Sequence, residues 1–276
     1  MPPVLKITTR NARFQQWHSL LTNRNKRQRL RAFVVQGVRP ITIALDQGWV
    51  VEAVLFDADR RLSEWARNVL KRAGGEHFAV SRELIAELGE KADDAPELLA
   101  IVALPGDDLG RIAVAHDFLG VVFDRPTSPG NLGSVIRSAD SFGAAGVIVT
   151  GHAADPYDSG AVRASTGSLF AVPTVRVPSP RDVRDWVASH HAAGVPIQIL
   201  GTDENGDADV YDVDLTVPTL LVVGNETTGL SAAWRDGVDR LIRIPMTGSA
   251  SSLNAANAAS VVLYEAMRQR LRQPVG

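Results

Sequence analysis

Cysteine is absent from the 276 residues. That absence excludes disulfides, cysteine-ligated zinc and thiol chemistry, and it fits a reducing compartment. Long apolar runs are missing too. No stretch approaches the roughly 18 uninterrupted apolar residues of a membrane-spanning helix. The N-terminal stretch MPPVLKITTRNARF has no apolar core of signal-peptide length, so a cytoplasmic protein with no membrane role is expected. The six histidines, His18, His77, His116, His152, His190 and His191, show no metal-ligand spacing, and no metal is expected. Acidic residues are absent from the first 45 positions, which hold nine Lys or Arg, leaving 20 basic against 31 acidic residues elsewhere.

A basic head on an acidic body suggests a segment that binds a polyanion. A solvated surface helix would account for a lone basic run equally well. Trp17 and the Asn and Gln residues mixed into QQWHSLLTNRNKRQRLR favour nucleic acid. The candidate RNA-binding residues are Arg10, Arg13, Arg24, Lys26, Arg27, Arg29 and Arg31.

With 45% hydrophobic residues, the chain can form one large domain or two ordinary ones. In the first third, strand-like AFVVQG, VVEAVLFD, HFAV and LLAIVALP alternate with helix-like PITIALDQG, RLSEWARNVLKRAG and RELIAELGE. This predicts a small α/β domain over 1–105, and the turn-rich segment 106–117 reads as a linker. A second domain, 118–276, begins with LGVVFD (119–124), a helix over 131–142 and GVIVTG (146–151). Strands follow at 171–177, 196–201, 219–224 and 240–245, with helices at 181–192 and 253–271. Continuous apolar strands separated by helices predict an α/β fold with a mostly parallel sheet covered on both faces.

Three loops that each follow a strand carry the chemistry. SPGNLGSVIR places Gly130 and Gly133 in a strand-to-helix turn. A dinucleotide fingerprint needs a third glycine and an acidic residue after the next strand, where His152 stands instead. Asn131 is in position to cap the helix. Arg137, two turns in, could reach back to the loop mouth or pair with a nearby carboxylate. GNETTGLS packs Gly224, Asn225, Glu226 and Gly229 into six positions, where glycines let backbone approach a ligand. IPMTGSASSLNAANAAS offers Ser251, Ser252 and Asn254 before an alanine-rich helix suited to close packing. In a parallel sheet the three loops meet at one edge and form a composite site.

NLGSVIR, GNETTGLS and IPMTGSASSLN together resemble the three motifs of the SpoU/TrmH family of RNA ribose 2′-O-methyltransferases, of the SPOUT class. The first third resembles that family's L30e-like RNA substrate-binding domain. The resemblance implies a deep trefoil knot, a homodimer and S-adenosylmethionine bound near Thr202, Gly224, Asn225, Ile244, Met246, Ser252 and Leu253. It also implies Asn131, Arg137, Glu226 and Asn254 as catalytic residues. The runs RPTSPGNLGS and GHAADPYDSGAVRASTGSLF are similar to a branch that methylates a uridine of 23S ribosomal RNA and confers resistance to a ribosome-targeting antibiotic. A tRNA 2′-O-methyltransferase and a non-catalytic RNA-binding protein with a vestigial knot remain the alternatives. Arg137 is sometimes cast as the general base, but a guanidinium has no acceptor and stays protonated. A clamp on the target phosphate suits it better. Asn131 and Asn254 would hold the ribose or shape the loops, and Glu226 would orient the arginine or another site group. Thr227 and Thr228 replace a Gly-Arg pair usual in the second motif, a departure that bears on target choice.

Overall fold

The computed structural model describes residues 3–90 and 95–272. They form two compact units: one from the residues up to Pro105 together with Tyr157–Ala171, the other from Gly106–Pro156 and the residues from Val172 on.

The first unit runs β1 (Val4–Ile7), α1 (Ala12–Thr22), α2 (Arg24–Leu30), β2 (Ala32–Gln36), α3 (Val38–Asp46), β3 (Val51–Asp57), α4 (Glu64–Arg72), β4 (Glu76–Val80), α5 (Arg82–Leu88) and β5 (Leu98–Ala103). The sheet order is β1-β4-β3-β5-β2. β1, β3 and β4 pair in parallel, whereas β5 is antiparallel to both β3 and β2. The basic segment thus forms two helices. Asn11 caps α1 by accepting from Phe14 N, and Asn23 caps α2 by accepting from Lys26 N. In α1, Phe14, Trp17, Leu20 and Leu21 recur at helical spacing and enter a core with Leu55, Phe78 and Leu99. Trp17 is 3% exposed and sits edge-on to Phe78. It is a core residue, so it offers no ring to a nucleobase; its apolar bulk decided the matter, not its neighbours' charge.

The second unit opens with a 3-10 turn at Leu109–Arg111, then β6 (Leu119–Asp124), α6 (Pro129–Ser141) and β7 (Gly146–Thr150). Within the segment expected to be a linker, Ile112 is buried in this unit's core. The chain next contributes α7 (Ser159–Ser165) and α8 (Ser168–Ala171) to the first unit. There Phe33 lies 5.0 Å from the Tyr157 ring and stacks on Phe170, and Trp49 Nε1 donates to Phe170 O. The second unit resumes with β8 (Thr174–Val177), α9 (Pro180–Ala192), β9 (Gln198–Thr202), β10 (Ala208–Asp209), β11 (Thr219–Val223), α10 (Ala232–Arg235), β12 (Arg240–Arg243) and α11 (Ala255–Arg270). The strand expected from residue 171 starts at Thr174, because Ala171 closes α8 and Pro173 cannot donate to a ladder.

This sheet has the order β10-β12-β9-β11-β6-β7-β8, and every pairing is parallel. β6, β7 and β11 are buried at every position, as strands covered on both faces must be. Parallel strands deliver their C-terminal ends to one edge. The loops after β6, β9, β11 and β12 therefore converge there. β6 connects through α6 to β7 on one side and has β11 as its other neighbour, a reversal that opens a crevice at the strand ends.

Candidate active site

The first wall of the crevice is the β6–α6 loop. Ser128 caps α6, its hydroxyl accepting from Asn131 N at 3.2 Å, and Pro129 occupies the first helical position. This corrects the expectation that Asn131 caps the helix. Proline suits the first turn, where no amide donor is needed, so the cap falls one residue before it. Asn131 instead lies in the first turn with its side chain free for other work.

The second wall is the β11–α10 loop. Asn225 and Gly229 exchange two backbone hydrogen bonds of 3.0 Å, and Asn225 Oδ1 accepts from Thr227 N and Thr228 N. Asn225 Nδ2 donates to Arg125 O at 2.7 Å. The amide expected to serve the cofactor is thus engaged in shaping the loop. Gly224 is obligatory: a Cβ there would lie 2.4 Å from the Gly229 carbonyl carbon.

Glu226, carried by this loop, crosses to the first wall. Its carboxylate accepts from Thr127 N, Thr127 Oγ1, Ser128 N and Asn131 Nδ2 at 3.0–3.1 Å. Burial opposes its ionisation, yet donors from Thr127, its own backbone, Asn131 and Ser128 hold it below the ordinary carboxylate range. The third wall completes the chain. Asn254 caps α11 through Oδ1, accepting from Ala256 N and Asn257 N, while its Nδ2 donates to Asn131 Oδ1 at 3.1 Å. Glu226, Asn131 and Asn254 form one hydrogen-bonded row that ties three loops together. The helix expected from 253 starts at Ala255 because Asn254 is its cap.

Beside this row lies a cavity of about 410 Å³ lined by residues 224–229, by Thr202, Asp203 and Glu204, and by Ile244, Met246, Ser252 and Leu253. All seven residues expected to hold the cofactor line it. Its mixture of apolar and polar residues and its volume suit a ligand of nucleoside size. Asp203 is paired with Arg235 at 2.5 Å on the cavity wall. Arg137 is exposed on α6, and its guanidinium makes no hydrogen bond or ion pair with the described residues. Among the described residues Arg137 makes no ion pair and is not held by Glu226; of the two expected partners for Glu226, the arginine or another site group, it holds the second, Asn131.

The SpoU L30e-like domain matches residues 11–100 and the SpoU rRNA Methylase family matches residues 119–264. The chain belongs to the SpoU rRNA methylase family. It is 60% identical over 98% of its length, and 94% of the relative's, to a 23S rRNA (uridine(2479)-2′-O)-methyltransferase of Streptomyces viridochromogenes. It is 26% identical over 93% of its length, and 96% of the relative's, to a 23S rRNA (guanosine(2553)-2′-O)-methyltransferase of Bacillus subtilis. The crystal structure of the SpoU methyltransferase AviRb from Streptomyces viridochromogenes in complex with AdoMet superposes with a TM-score of 0.92 at 61% identity, covering 95% of this chain and 99% of that one. As a SpoU methylase the chain is an RNA methyltransferase with an N-terminal L30e-like domain and a SPOUT-type parallel sheet. The family methylates ribose 2′-oxygens with S-adenosylmethionine as donor.

The SpoU chain's basic residues separate on folding. Arg27 is 2% exposed, donating to Leu20 O and Leu21 O and pairing with Asp158 at 3.4 Å, so it has no face for RNA. Arg31 donates to Leu104 O and Pro105 O. Arg10 and Arg13 are surface residues paired with Glu87 and Glu76. Arg24 and Lys26 are half-buried, and Arg29 is exposed. Asp124, Arg125, Thr127 and Ser128 were missed as site residues. Only Ser128 had a legible signal, as the residue before a helix-opening proline.

Proposed function

We propose that this chain transfers a methyl group from S-adenosylmethionine to the 2′-oxygen of a uridine in 23S ribosomal RNA. The observation that carries it is the Glu226–Asn131–Asn254 row beside a cavity lined by all the expected cofactor residues. Similarity along the whole chain to the uridine-specific relative supports the choice of nucleotide. Bound in the cavity, the cofactor supplies a sulfonium methyl. Glu226 is no base: four donors occupy its oxygens and its carboxyl is held ionised. It fixes Asn131, and with Asn254 that amide shapes the mouth where the ribose sits. Arg137, exposed and unpaired among the described residues, clamps the phosphate next to the target ribose through its planar fork. The carbon–sulfur bond breaks as the ribose oxygen–carbon bond forms, and the hydroxyl proton leaves to a phosphate oxygen or water.

In sequence, the domain boundary between 105 and 118 separates the RNA-binding part from the methyltransferase, with Tyr157–Ala171 returning to the first unit. The C-terminal segment is knotted, as the family resemblance implies. The chain works as a cytoplasmic homodimer, its apolar partner surface including Val261 and Tyr264, which are 40% and 52% exposed on α11. Its product protects the ribosome against a drug. The test is methyl transfer from labelled cofactor to 23S RNA, with the position mapped by blocked primer extension. Label at a uridine ribose is expected; label confined to tRNA, or none with cofactor bound, overturns the proposal. In the same assay Arg137→Lys keeps the charge but loses the fork, and its turnover is expected to fall roughly 100-fold. Near-normal turnover would sink the clamp.

A further inference from the structure

Arg125 directly follows β6 and lies in the left-handed region, at φ +52°. Glycine or asparagine adopts that conformation with less strain. A long β-substituted side chain persists there only if the surroundings over-determine it, and here they do. Arg125 N donates to Thr150 O at 3.0 Å, and the turned carbonyl accepts from Asn225 Nδ2 at 2.7 Å. The guanidinium donates through Nε to Asp124 Oδ2 at 3.1 Å and through an Nη to Gly229 O at 3.0 Å. Asp124, 1% exposed, also accepts from Ser231 N at 2.9 Å and from Thr150 Oγ1 at 3.0 Å. The Arg125 stem lies against Gly151, where a Cβ would come within 2.8 Å of Arg125 Cγ.

We propose that Arg125, braced by Asp124, is a positioning residue that sets the loop of Asn225–Gly229, and through Glu226 sets Asn131. Arg125 is not among the residues lining the cavity. It acts on both ends of the loop that forms the wall: the left-handed backbone aims its carbonyl at Asn225, and the side chain takes the carbonyl of Gly229. Remove the guanidinium and Gly229 O loses its charged donor while buried Asp124 loses its cation. The loop then relaxes, moving the wall and the anchor of Asn131 together.

The inference rests on the methyltransferase function proposed above. Arg125→Gly tests it because glycine keeps the left-handed backbone and removes only the side chain. Calorimetric binding of S-adenosylmethionine is expected to weaken about ten-fold, the usual scale for losing one charged hydrogen bond. Transfer to 23S RNA at saturating cofactor is expected to fall by roughly a further ten-fold as Asn131 loses its place. The melting temperature is read alongside. A merely structural role would lower it without changing turnover of the folded enzyme. Arg125→Lys, which keeps the stem and one donor but no fork, is expected to recover cofactor affinity only in part. Wild-type affinity and turnover in the glycine variant overturn the proposal. If that variant does not fold, the lysine variant decides, and full activity in it is equally fatal. Should the wild-type chain itself fail to methylate 23S RNA, the proposed function falls instead, and cofactor affinity alone then judges Arg125.

Discussion

At the scale of single residues, Glu226 shows how a carboxylate can tie two loops together through accepted hydrogen bonds alone. Apart from its own backbone, its donors are Thr127, Ser128 and Asn131, all on the opposite wall. Because these donors hold the folded-state pKa below the ordinary value, the carboxylate stabilises the site fully above that ordinary value. The contribution is lost only as pH falls through the lower folded value. Cofactor affinity, followed by calorimetry, should therefore stay level from neutral pH down to the ordinary carboxylate range and decline only below it. Glu226→Gln faces donors with an amide NH2, and should bind roughly 10- to 100-fold more weakly at neutral pH. Its profile should also lack the acid decline; a decline matching the wild type's would assign that titration elsewhere. The motif made Glu226, Asn131 and Asn254 visible as candidates. It could not show that they touch, because the partners are 95 and 123 positions apart. Arg125 was invisible for a different reason: nothing local marks a left-handed arginine, and apart from the adjacent Asp124 its partners Thr150, Asn225 and Gly229 lie far along the chain.

At the scale of elements, apolar periodicity located most strands and helices of the second unit, while the basic segment obscured two helices of the first. There, charge drew attention away from Phe14, Trp17, Leu20 and Leu21, whose spacing was helical throughout. The antiparallel course of β5 was not legible either, since a buried strand reads alike in both directions. α11 owes its seat to both ends. Asn254 caps its start. At its close Arg270 donates to Leu215 O, Phe118 O and Val217 O at 2.9–3.0 Å and also to Asp117 O. Burial pushes this guanidinium's pKa down, with Asp117 and Asp214 opposing the shift. Its charge is satisfied chiefly by carbonyls at the ends of strands and loops. Arg270→Met keeps the stem and strands those carbonyls, so a loss of about 2–3 kcal/mol is expected in urea denaturation. An unchanged midpoint would mean that water replaces the guanidinium without cost.

At the scale of the whole molecule, the separation of charge along the chain remains after folding has sorted the basic residues. Tyr157–Ala171 shows the limit of a linear reading: it lies between β7 and β8 of the second unit, yet packs with Phe33 and Trp49, more than a hundred positions earlier. The same sorting decides which cations can meet RNA. Arg27 is internal and Arg31 is tied to carbonyls, whereas the pairs of Arg10 and Arg13 are at the surface, where such pairs are weak and exchangeable. Arg29 is exposed on α2, and Lys26 on the same helix is half-buried. If these two contact phosphates, reversing both charges in Lys26→Glu/Arg29→Glu should weaken RNA binding roughly ten-fold or more near physiological salt. The slope of log affinity against log salt should fall by about 2, one unit per lost phosphate contact. Cofactor affinity should not move, because neither residue lines the cavity. A loss of RNA affinity with an unchanged salt slope would mean the variant had disturbed α2 rather than a phosphate contact. Wild-type RNA affinity would remove Lys26 and Arg29 from recognition.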